Sequence, residues 1–306
     1  FLFGAIVGII NTKLHLPRQI YDFITILLLL SIGLKGGIEL AQQSLTSLLP
    51  QIIVSIFMGF FLPFIAYPVL RYLGRFNSSN AASIAAHYGS VSVGTFAVAT
   101  SFLISKNIQF ESYMSLFLVL LEAPAILSGI LLARGIQSNT KWREIFREAL
   151  LDKGIILLIG GLLIGFIVGP NGIQTIKPLF FDMFKSILAL FLFEMGLIAS
   201  SQIESLKKHG LFLLGFGILM PIFSSVIGSL IGFYIGLSIG GTTILATLAA
   251  SASYIAVPAV MRIAIPEANP TLSIASSLGV TFTFNVLVGI PIYYSLAKNL
   301  FLILGN

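Results

Sequence analysis

The stretch from His87 to Thr95 reads HYGSVSVGT, and it interrupts a hydrophobic segment with glycines and hydroxyl-bearing side chains. A second stretch, from Ala250 to Pro258, reads ASASYIAVP and interrupts a hydrophobic segment in the other half of the chain. Ser90 and Ser253 lie 163 residues apart, in corresponding places of the two halves. In a secondary transporter, a matched pair of interrupted hydrophobic segments points to the binding site. We therefore expect these two stretches, called the first break and the second break, to form one site at the membrane midplane.

The composition predicts a membrane protein. Hydrophobic residues make up 57% of the 306 residues and charged residues only 9%, whereas a soluble domain has about 25% charged residues. The net charge of +6 is spread over loops without a basic patch, so no nucleic-acid partner is expected. The absence of cysteine excludes disulfides and thiolate metal sites. HExxH, GxSxG and Walker A motifs are also absent, so we do not expect an enzyme.

Hydropathy and helix-breaking residues predict an all-α protein with ten membrane spans. The first span has about eleven residues before Asn11. A spanning helix needs about 20, so we expect the N-terminus to be incomplete. The last span meets Pro291, which should kink or end it. The predicted spans cover residues 1–11, 20–34, 48–70, 81–104, 112–133, 154–168, 180–199, 211–236, 241–264 and 274–297.

The charges of the loops predict the orientation of these spans. Most Lys and Arg residues follow odd-numbered spans, and Lys35, Lys106, Lys177 and Lys185 are among the few that follow even-numbered spans. Because Lys and Arg favour cytoplasmic loops, we expect both termini outside and the loop at 134–153 in the cytoplasm. Within that loop, the pattern from Trp142 to Arg147 predicts a short amphipathic surface helix. The abrupt join at Ser138–Asn139 indicates that residues are missing there.

The two halves are predicted to form an inverted repeat of five plus five spans. Five is an odd number, so the second half must have the opposite orientation to the first. Each half has an interrupted fourth span and a polar residue in its fifth span, where Glu122 falls opposite Asn285 at the same offset of 163 residues. The predicted units are a first repeat at 1–138, a cytoplasmic linker at 139–153 and a second repeat at 154–306.

The breaks have the chemistry of a site for a small anion. In hydrocarbon, non-helical backbone survives only beside protein or a wet cavity. Each break would begin a new half-helix, whose free N–H groups and dipole attract anions. Neither break contains Arg or Lys, which favours a small monovalent anion whose charge is offset by a cation. The alternative is that these small residues only allow close helix packing.

Buried polar residues elsewhere in the spans have several possible roles. An intramembrane carboxylate such as Glu122 is costly and is a functional candidate. It could bind sodium, relay a proton or support the first break, and Asn285 would be its neutral counterpart. Glu194 could line the cavity or reach an interface, whereas Lys35 is expected to extend to the interface and His87 to serve packing.

Three segments carry a resemblance to a known family. They are Ile265–Asn285, which reads IPEANPTLSIASSLGVTFTFN; Gly89–Thr95; and the acidic-x-Pro-Ala step from Glu122 to Ala125. With these segments the chain resembles the cyanobacterial sodium-dependent bicarbonate transporter family and its wider bacterial relatives, over most of its length.

The resemblance implies a gate domain, a core domain with crossed broken helices, and elevator-type alternating access in a bacterial cytoplasmic membrane. It also implies a homotrimer, bicarbonate as substrate and Na⁺ as the coupling ion, with no other cofactor. A PII-like cytoplasmic regulator is a further candidate partner. The residues expected to bind substrate are Gly89, Ser90, Ser92, Gly94, Thr95, Ser253, Ala256 and Val257. Those expected to support the cation are Ser251, Ser253, Thr95, Glu122 and Asn285.

The second break departs from the pattern of the cyanobacterial members. Where they have Ser-Ser-Ser-Asp-Ile-Ser-Gly-Pro-Pro, this chain has Tyr254 for the acidic residue and Ala256-Val257 for Ser-Gly. The leading hypothesis is sodium-coupled uptake of bicarbonate. The alternative is a sodium- or proton-coupled symporter of another small carboxylate or oxyanion. A channel or a membrane sensor would belong to a different class, which gradient-driven accumulation would exclude.

Overall fold

The computed structural model describes residues 1–10, 14–135, 143, 144, 147, 151–202 and 210–304. These residues form helices joined by short connections, and no strand occurs among them. The predicted surface helix at Trp142–Arg147 and the join at Ser138–Asn139 fall largely outside these described ranges.

The helices fall into two groups along the chain. The first group is α1 (Leu2–Ile10), α2 (Arg18–Leu40), α3 (Leu45–Pro68, extended by a π-helical turn at Val69–Leu73), α4 (Ser78–Gly89), α5 (Val93–Ser105) and α6 (Leu116–Arg134). The second group is α7 (Lys153–Gly172), α8 (Phe184–Ser201), α9 (Leu211–Tyr234), α10 (Ile239–Ala249), α11 (Ala256–Ala264), α12 (Pro270–Ile274) and α13 (Ile290–Leu304). Short helical turns precede α6 and α8, at Ser112–Ser115 and Pro178–Asp182, and π-helical turns at Ala275–Phe282 and Asn285–Gly289 join α12 to α13.

Eight segments within the described ranges are long and apolar enough to cross a membrane, which makes this a multi-pass membrane protein. They correspond to eight of the ten predicted spans, whereas α1 has nine residues and the predicted span at 241–264 consists of the two short helices α10 and α11. The eight segments are Arg18–Leu40, Leu48–Leu73, Ser78–Ser105, Tyr113–Arg134, Lys153–Gly172, Phe184–Ser201, Leu211–Tyr234 and Pro270–Leu304.

Among the predicted boundaries that differ from the observed helices, two concern glycine and proline. The second span was expected to end at residue 34, but α2 continues to Leu40 because Gly36 and Gly37 serve close packing instead of ending the helix. The last segment was expected to kink or end at Pro291, but α13 begins one residue before this proline and runs to Leu304. Proline is tolerated in the first turn of a helix, and the departure from α-helical geometry lies in the π-helical turns that precede it.

Small residues let two helix pairs approach closely. A Cβ atom on Gly33 of α2 would lie 2.7 Å from the carbonyl oxygen of Leu158 on α7. A Cβ atom on Gly196 of α8 would lie 2.3 Å from the carbonyl oxygen of Phe1, beside the start of α1. Helices in membranes associate through such small residues. The pairs α2–α7 and α1–α8 are both parallel, since contacts advance along both members of each pair together.

Polar contacts tie the helix ends together. At one end, Lys153 at the start of α7 pairs with Asp22 near the start of α2 at 3.3 Å. At the opposite end, the Glu111 carboxylate accepts hydrogen bonds from the backbone N–H of Ser238 at 2.6 Å and from its hydroxyl at 3.0 Å. Ser238 caps α10 by accepting from the N–H of Gly241, so Glu111 fixes the start of the helix that leads into the second break.

Candidate functional site

The first break separates α4 from α5. Helix α4 ends at Gly89, Ser90 has an extended backbone with φ −89° and ψ 178°, and Ser92 is extended with φ −110° and ψ 116°. The Ser92 hydroxyl accepts a hydrogen bond from the N–H of Thr95 at 3.1 Å and so caps α5. Because a helix leaves its first N–H groups without intrahelical partners, those of Val93 and Gly94 remain available within the described part of the chain.

The second break separates α10 from α11. Residues 251–255 are not helical, and α11 begins at Ala256 without a side-chain cap at the position before it. The Ser253 hydroxyl accepts a long hydrogen bond of 3.4 Å from the N–H of Val257. Pro258 has no N–H group to offer, and proline is common in the first turn of a helix for this reason. The N-terminus of α11 therefore presents fewer free donors than that of α5.

The two breaks are hydrogen-bonded to each other. The N–H of Ser92 donates to the hydroxyl of Ser251 at 3.1 Å, and the N–H of Ser253 donates to the carbonyl of His87 at 2.9 Å. The Ser251 hydroxyl in turn donates to the carbonyl of Leu248 at 2.8 Å. All three serines are at most 3% exposed. Backbone groups freed by one break are thus satisfied by the other, as buried polar groups require.

A small cavity of about 30 Å³ lies beside the crossing of the breaks. It has room for about two water molecules, since one needs roughly 10–15 Å³ on the same measure. An anion with four heavy atoms needs more room, so the structure is closed around this site. The cavity is lined by Leu29, Val91, Ser92, Val93, Glu122, Asp152, Gly154, Leu158, Ser253, Tyr254, Ile255 and Ala256.

Glu122 is the carboxylate of α6 that lines this cavity. It is 6% exposed, and no hydrogen bond or ion pair of its side chain is found among the described residues. A buried carboxylate without a partner is costly in a membrane. Its carboxylate oxygens are therefore available to a cation or a proton, next to the hydroxyls of Ser92 and Ser253.

Asp152 lines the same cavity, and the sequence reasoning missed it. Its carboxylate caps α7 by accepting from the N–H groups of Gly154 at 2.8 Å and Ile155 at 3.3 Å. The residue was placed in the linker at 139–153. An aspartate directly before an apolar run is a typical helix cap, and this signal could have assigned it to the start of the span.

Several buried hydroxyls around the crossing have no partner within the described part of the chain. They belong to Ser90, Thr95 and Tyr254. The Tyr254 hydroxyl lies against the first turn of α5, where a Cβ atom on Gly94 would be only 2.6 Å away from it. Its ring packs edge-on against Phe282 with centroids 5.2 Å apart. Thus Tyr254, which stands where the proteins that the chain resembles have an acidic residue, places its hydroxyl beside the free donors of α5.

Asn285 holds the backbone next to the second break. Its side-chain amide donates to the carbonyl of Ala250 at 2.8 Å and accepts from the Tyr293 hydroxyl at 2.6 Å. The residue is fully buried, lies in a π-helical turn, and does not line the cavity. Its amide therefore ties this π-helical turn to the backbone beside the second break.

The other predicted site residues lie around the cavity. Ser92, Glu122, Ser253 and Ala256 line it, whereas Val257 and Ser251 are buried and do not belong to its lining. Gly89 packs against Pro63, where a Cβ atom would lie 2.3 Å from the proline ring.

Two of the other singled-out polar residues have local structural partners. Glu194 is buried and accepts a hydrogen bond from the N–H of Leu16 at 3.2 Å, before α2. His87 is buried with its Nδ1 atom 2.7 Å from the carbonyl of Ser83. Neither residue lines the cavity.

Comparison with curated proteins finds no match. A family model matches the chain over nearly its whole length, and the match covers both breaks, Glu122, Asp152 and Asn285. On this match to residues 1–298, the chain belongs to the Na⁺-dependent bicarbonate transporter superfamily.

Proposed function

We propose that the protein is a secondary active transporter that couples the inward movement of Na⁺ to the uptake of bicarbonate. The observation that carries this proposal is the pair of hydrogen-bonded breaks around a cavity that contains the unpartnered carboxylate of Glu122. The free N–H groups at the start of α5 suit an anion. The carboxylate oxygens of Glu122 and the hydroxyls of Ser92 and Ser253 suit Na⁺, which like other hard cations prefers oxygen ligands.

An inverted repeat of ten spans gives this site its two-sided architecture. The repeat would exchange α1 with α7 and α2 with α8, so the close parallel pair α1–α8 would correspond to the close parallel pair α2–α7. Gly33 and Gly196, which lie at the repeat offset, each lie at the close contact of one of these pairs. In this scheme α1 counts as the first span, and α10 with α11 count as the ninth.

Alternating access of the elevator type would then move the crossed breaks past a gate formed by α1, α2, α7 and α8. The hydrogen bonds between Ser92, Ser251, His87 and Ser253 support this, because they join the two break-containing helix pairs into one unit. Cysteines placed at Ser31 of α2 and Thr100 of α5 would test it, since both positions line one cavity between these parts. Crosslinking the pair should stop uptake and reduction should restore it; undiminished uptake by the crosslinked protein would contradict the motion.

The decisive measurement is uptake of radiolabelled bicarbonate into proteoliposomes at alkaline pH, where little CO₂ is present to cross the bilayer. We expect accumulation with an inward Na⁺ gradient and none when K⁺ replaces Na⁺. Bicarbonate uptake that does not depend on Na⁺ would refute the proposal, and so would accumulation of acetate or pyruvate by a protein that does not accumulate bicarbonate.

A proton-coupled symporter of another small carboxylate is the second candidate. Tyr254 favours it. Its hydroxyl and ring occupy the space beside the start of α5, so an anion bound there would meet a different shape and different polar groups from those of the cyanobacterial pattern. The unpartnered Glu122 could then carry the proton. A protonophore added to the same proteoliposomes separates the two: it abolishes uptake only under proton coupling.

The remaining expectations from the family are also proposals. The protein would form a homotrimer in a bacterial cytoplasmic membrane, with both termini outside and the loop at 134–153 inside. A PII-like protein would dock on the cytoplasmic face. Native mass spectrometry of the purified protein tests the trimer, and protease accessibility of tagged termini in oriented vesicles tests the orientation.

A further inference from the structure

A second, much larger cavity of about 610 Å³ opens between the helices on the other side of the crossing. It lies at the C-terminal ends of α2 and α7, whereas the ion pair between Asp22 and Lys153 lies at their N-terminal ends. On α5 it is lined by Phe96 and Thr100, and Phe96 directly follows Thr95 of the first break. The cavity therefore leads from the molecular surface toward the candidate site.

The charges of this cavity are strongly one-sided. Its lining includes the ammonium groups of Lys35, Lys177 and Lys185, and the carboxylate of Asp182 is its only acidic lining group among the described residues. No ion pair in the described ranges involves any of the three lysines. The Lys35 ammonium lies 6.0 Å from the centre of the Phe110 ring, close to the limit of a cation–π contact. The lining thus carries a formal excess of two positive charges, while the carboxylate of Glu39, outside the lining, acts electrostatically on Lys35.

The walls between these charges are mostly apolar. Ile32, Phe96, Phe110 and Phe184 form much of the lining. A cleft that combines charges of one sign with low-dielectric walls focuses the electric field and raises the local concentration of counter-ions. The volume far exceeds that of a small anion, so the cavity suits a hydrated anion in transit and not a tight binding site.

The sequence shows that this basic character is specific to the cavity. Five lysines follow the even-numbered predicted spans, and three of them line the cavity. Another of the five, Lys106, lies outside it, with its ammonium 5.5 Å from the centre of the Phe102 ring. Lys106 therefore supplies a matched control on the same side of the protein.

We propose that Lys35, Lys177 and Lys185 form a basic vestibule that draws small anions toward the first break. This inference rests on the proposed function only for the identity of the anion, bicarbonate. The vestibule raises the rate at which anions reach the site, so its loss raises KM and leaves the maximal rate unchanged. Asp182 opposes the effect, so its neutralisation lowers KM.

The direct test measures the electrostatic potential without relying on transport. The chain has no cysteine, so Thr100→Cys provides a single thiol inside the vestibule. Its rates of modification by an anionic methanethiosulfonate (sulfonatoethyl) and a cationic one (trimethylammonioethyl) are compared at low ionic strength. The ratio of the two rates reports the potential, because changes in thiol reactivity or access affect both reagents together.

We expect the anionic-to-cationic ratio to fall about tenfold when all three lysines become glutamine, in line with steering effects of roughly 10- to 1,000-fold. The triple arginine variant should keep the ratio, and so should Lys106→Gln. Gln174→Cys at the same cavity serves as a second reporter, and gel filtration checks folding. An unchanged ratio at both reporters in the folded triple glutamine variant would overturn the proposal.

Bicarbonate uptake then separates this inference from the proposed function. These uptake measurements use the chain without a reporter cysteine. Each Lys→Gln change should raise KM for bicarbonate about twofold to threefold at low ionic strength, and high salt should remove the difference. Asp182→Asn should lower KM. If the lysine substitutions shift the reagent ratio but the protein takes up no bicarbonate, the vestibule is supported and the proposed substrate is refuted. If bicarbonate uptake is normal but the ratio does not shift, the proposed substrate is supported and the vestibule is refuted.

Discussion

Replacing Gly94 with alanine tests the contact between the first break and Tyr254. The added Cβ atom would lie 2.6 Å from the Tyr254 hydroxyl, 2.8 Å from the Phe191 ring and 3.1 Å from the Phe282 ring. Carbon contacts are normally about 3.5–4.0 Å long, so the rings must move by up to about 1 Å. Overpacking of this kind costs about 1–3 kcal/mol, and the higher helix propensity of alanine returns at most about 1 kcal/mol.

The expected net loss of stability for Gly94→Ala is therefore about 1–2 kcal/mol. Tyr254→Phe removes the nearest of the three contacts, and its buried hydroxyl has no partner in the described structure. The double variant should recover about 1 kcal/mol relative to the sum of the single changes. Equilibrium unfolding in sodium dodecyl sulfate, followed by circular dichroism, measures these differences in the free energy of unfolding.

Gly215→Ala is the matched control, because a Cβ atom on Gly215 of α9 would meet no atom within 4 Å. This variant should be as stable as the unmodified protein or slightly more stable. If the stability change of the double variant equals the sum of the two single changes to within about 0.3–0.5 kcal/mol, the contact between Gly94 and Tyr254 is refuted. The same result would remove the reason for placing the Tyr254 hydroxyl at the start of α5.

Three further substitutions test the roles of single polar groups. Ser92→Ala removes the cap on the N–H of Thr95, which should lower the free energy of unfolding by about 1 kcal/mol. It should also reduce proteoliposome uptake at least about tenfold, which corresponds to a loss of about 1.4 kcal/mol in binding. Normal uptake by this variant would show that the site is not at the first break. Glu122→Gln should abolish the Na⁺ dependence of uptake while the protein remains folded in gel filtration, and an unaltered response to Na⁺ would exclude Glu122 as the cation ligand. Asn285→Ala leaves the Tyr293 hydroxyl without its acceptor and should lower the free energy of unfolding by about 1–3 kcal/mol; an increased Na⁺ requirement with unchanged stability would instead assign Asn285 to the cation.

The sequence predicted the positions where helices stop, because glycine, serine and proline act locally. The interruption expected within His87–Thr95 is observed between the end of α4 at Gly89 and the start of α5 at Val93. Local rules failed where packing overrides them: Gly36 and Gly37 look like helix breakers, but in α2 they allow the close approach of α7. The inverted repeat itself stays a prediction, supported by the matched helix pairs.

Groups that reach the site from distant parts of the chain were harder to predict. Asp152 joins the cavity only because α7 begins beside the breaks, and no pattern near Ser92 or Ser253 indicates this. The same holds for the vestibule, whose lysines come from two separate segments and looked like ordinary interfacial residues. Likewise, the sequence identified Tyr254 as a departure from the family, but only the structure places its hydroxyl against Gly94.

The hydrogen bonds that join the breaks have a consequence for how such proteins diversify. One of them links two backbone groups, the N–H of Ser253 and the carbonyl of His87, and the other needs only the hydroxyl of Ser251. Side chains at positions 90, 254 and 256 take no part in either bond. If the breaks hold the anion as proposed, mutations at those positions would change which anion is accepted without breaking the two hydrogen bonds that join the breaks. Selectivity and foldability are thereby separable during evolution, and new substrate preferences can arise by single substitutions on an unchanged scaffold.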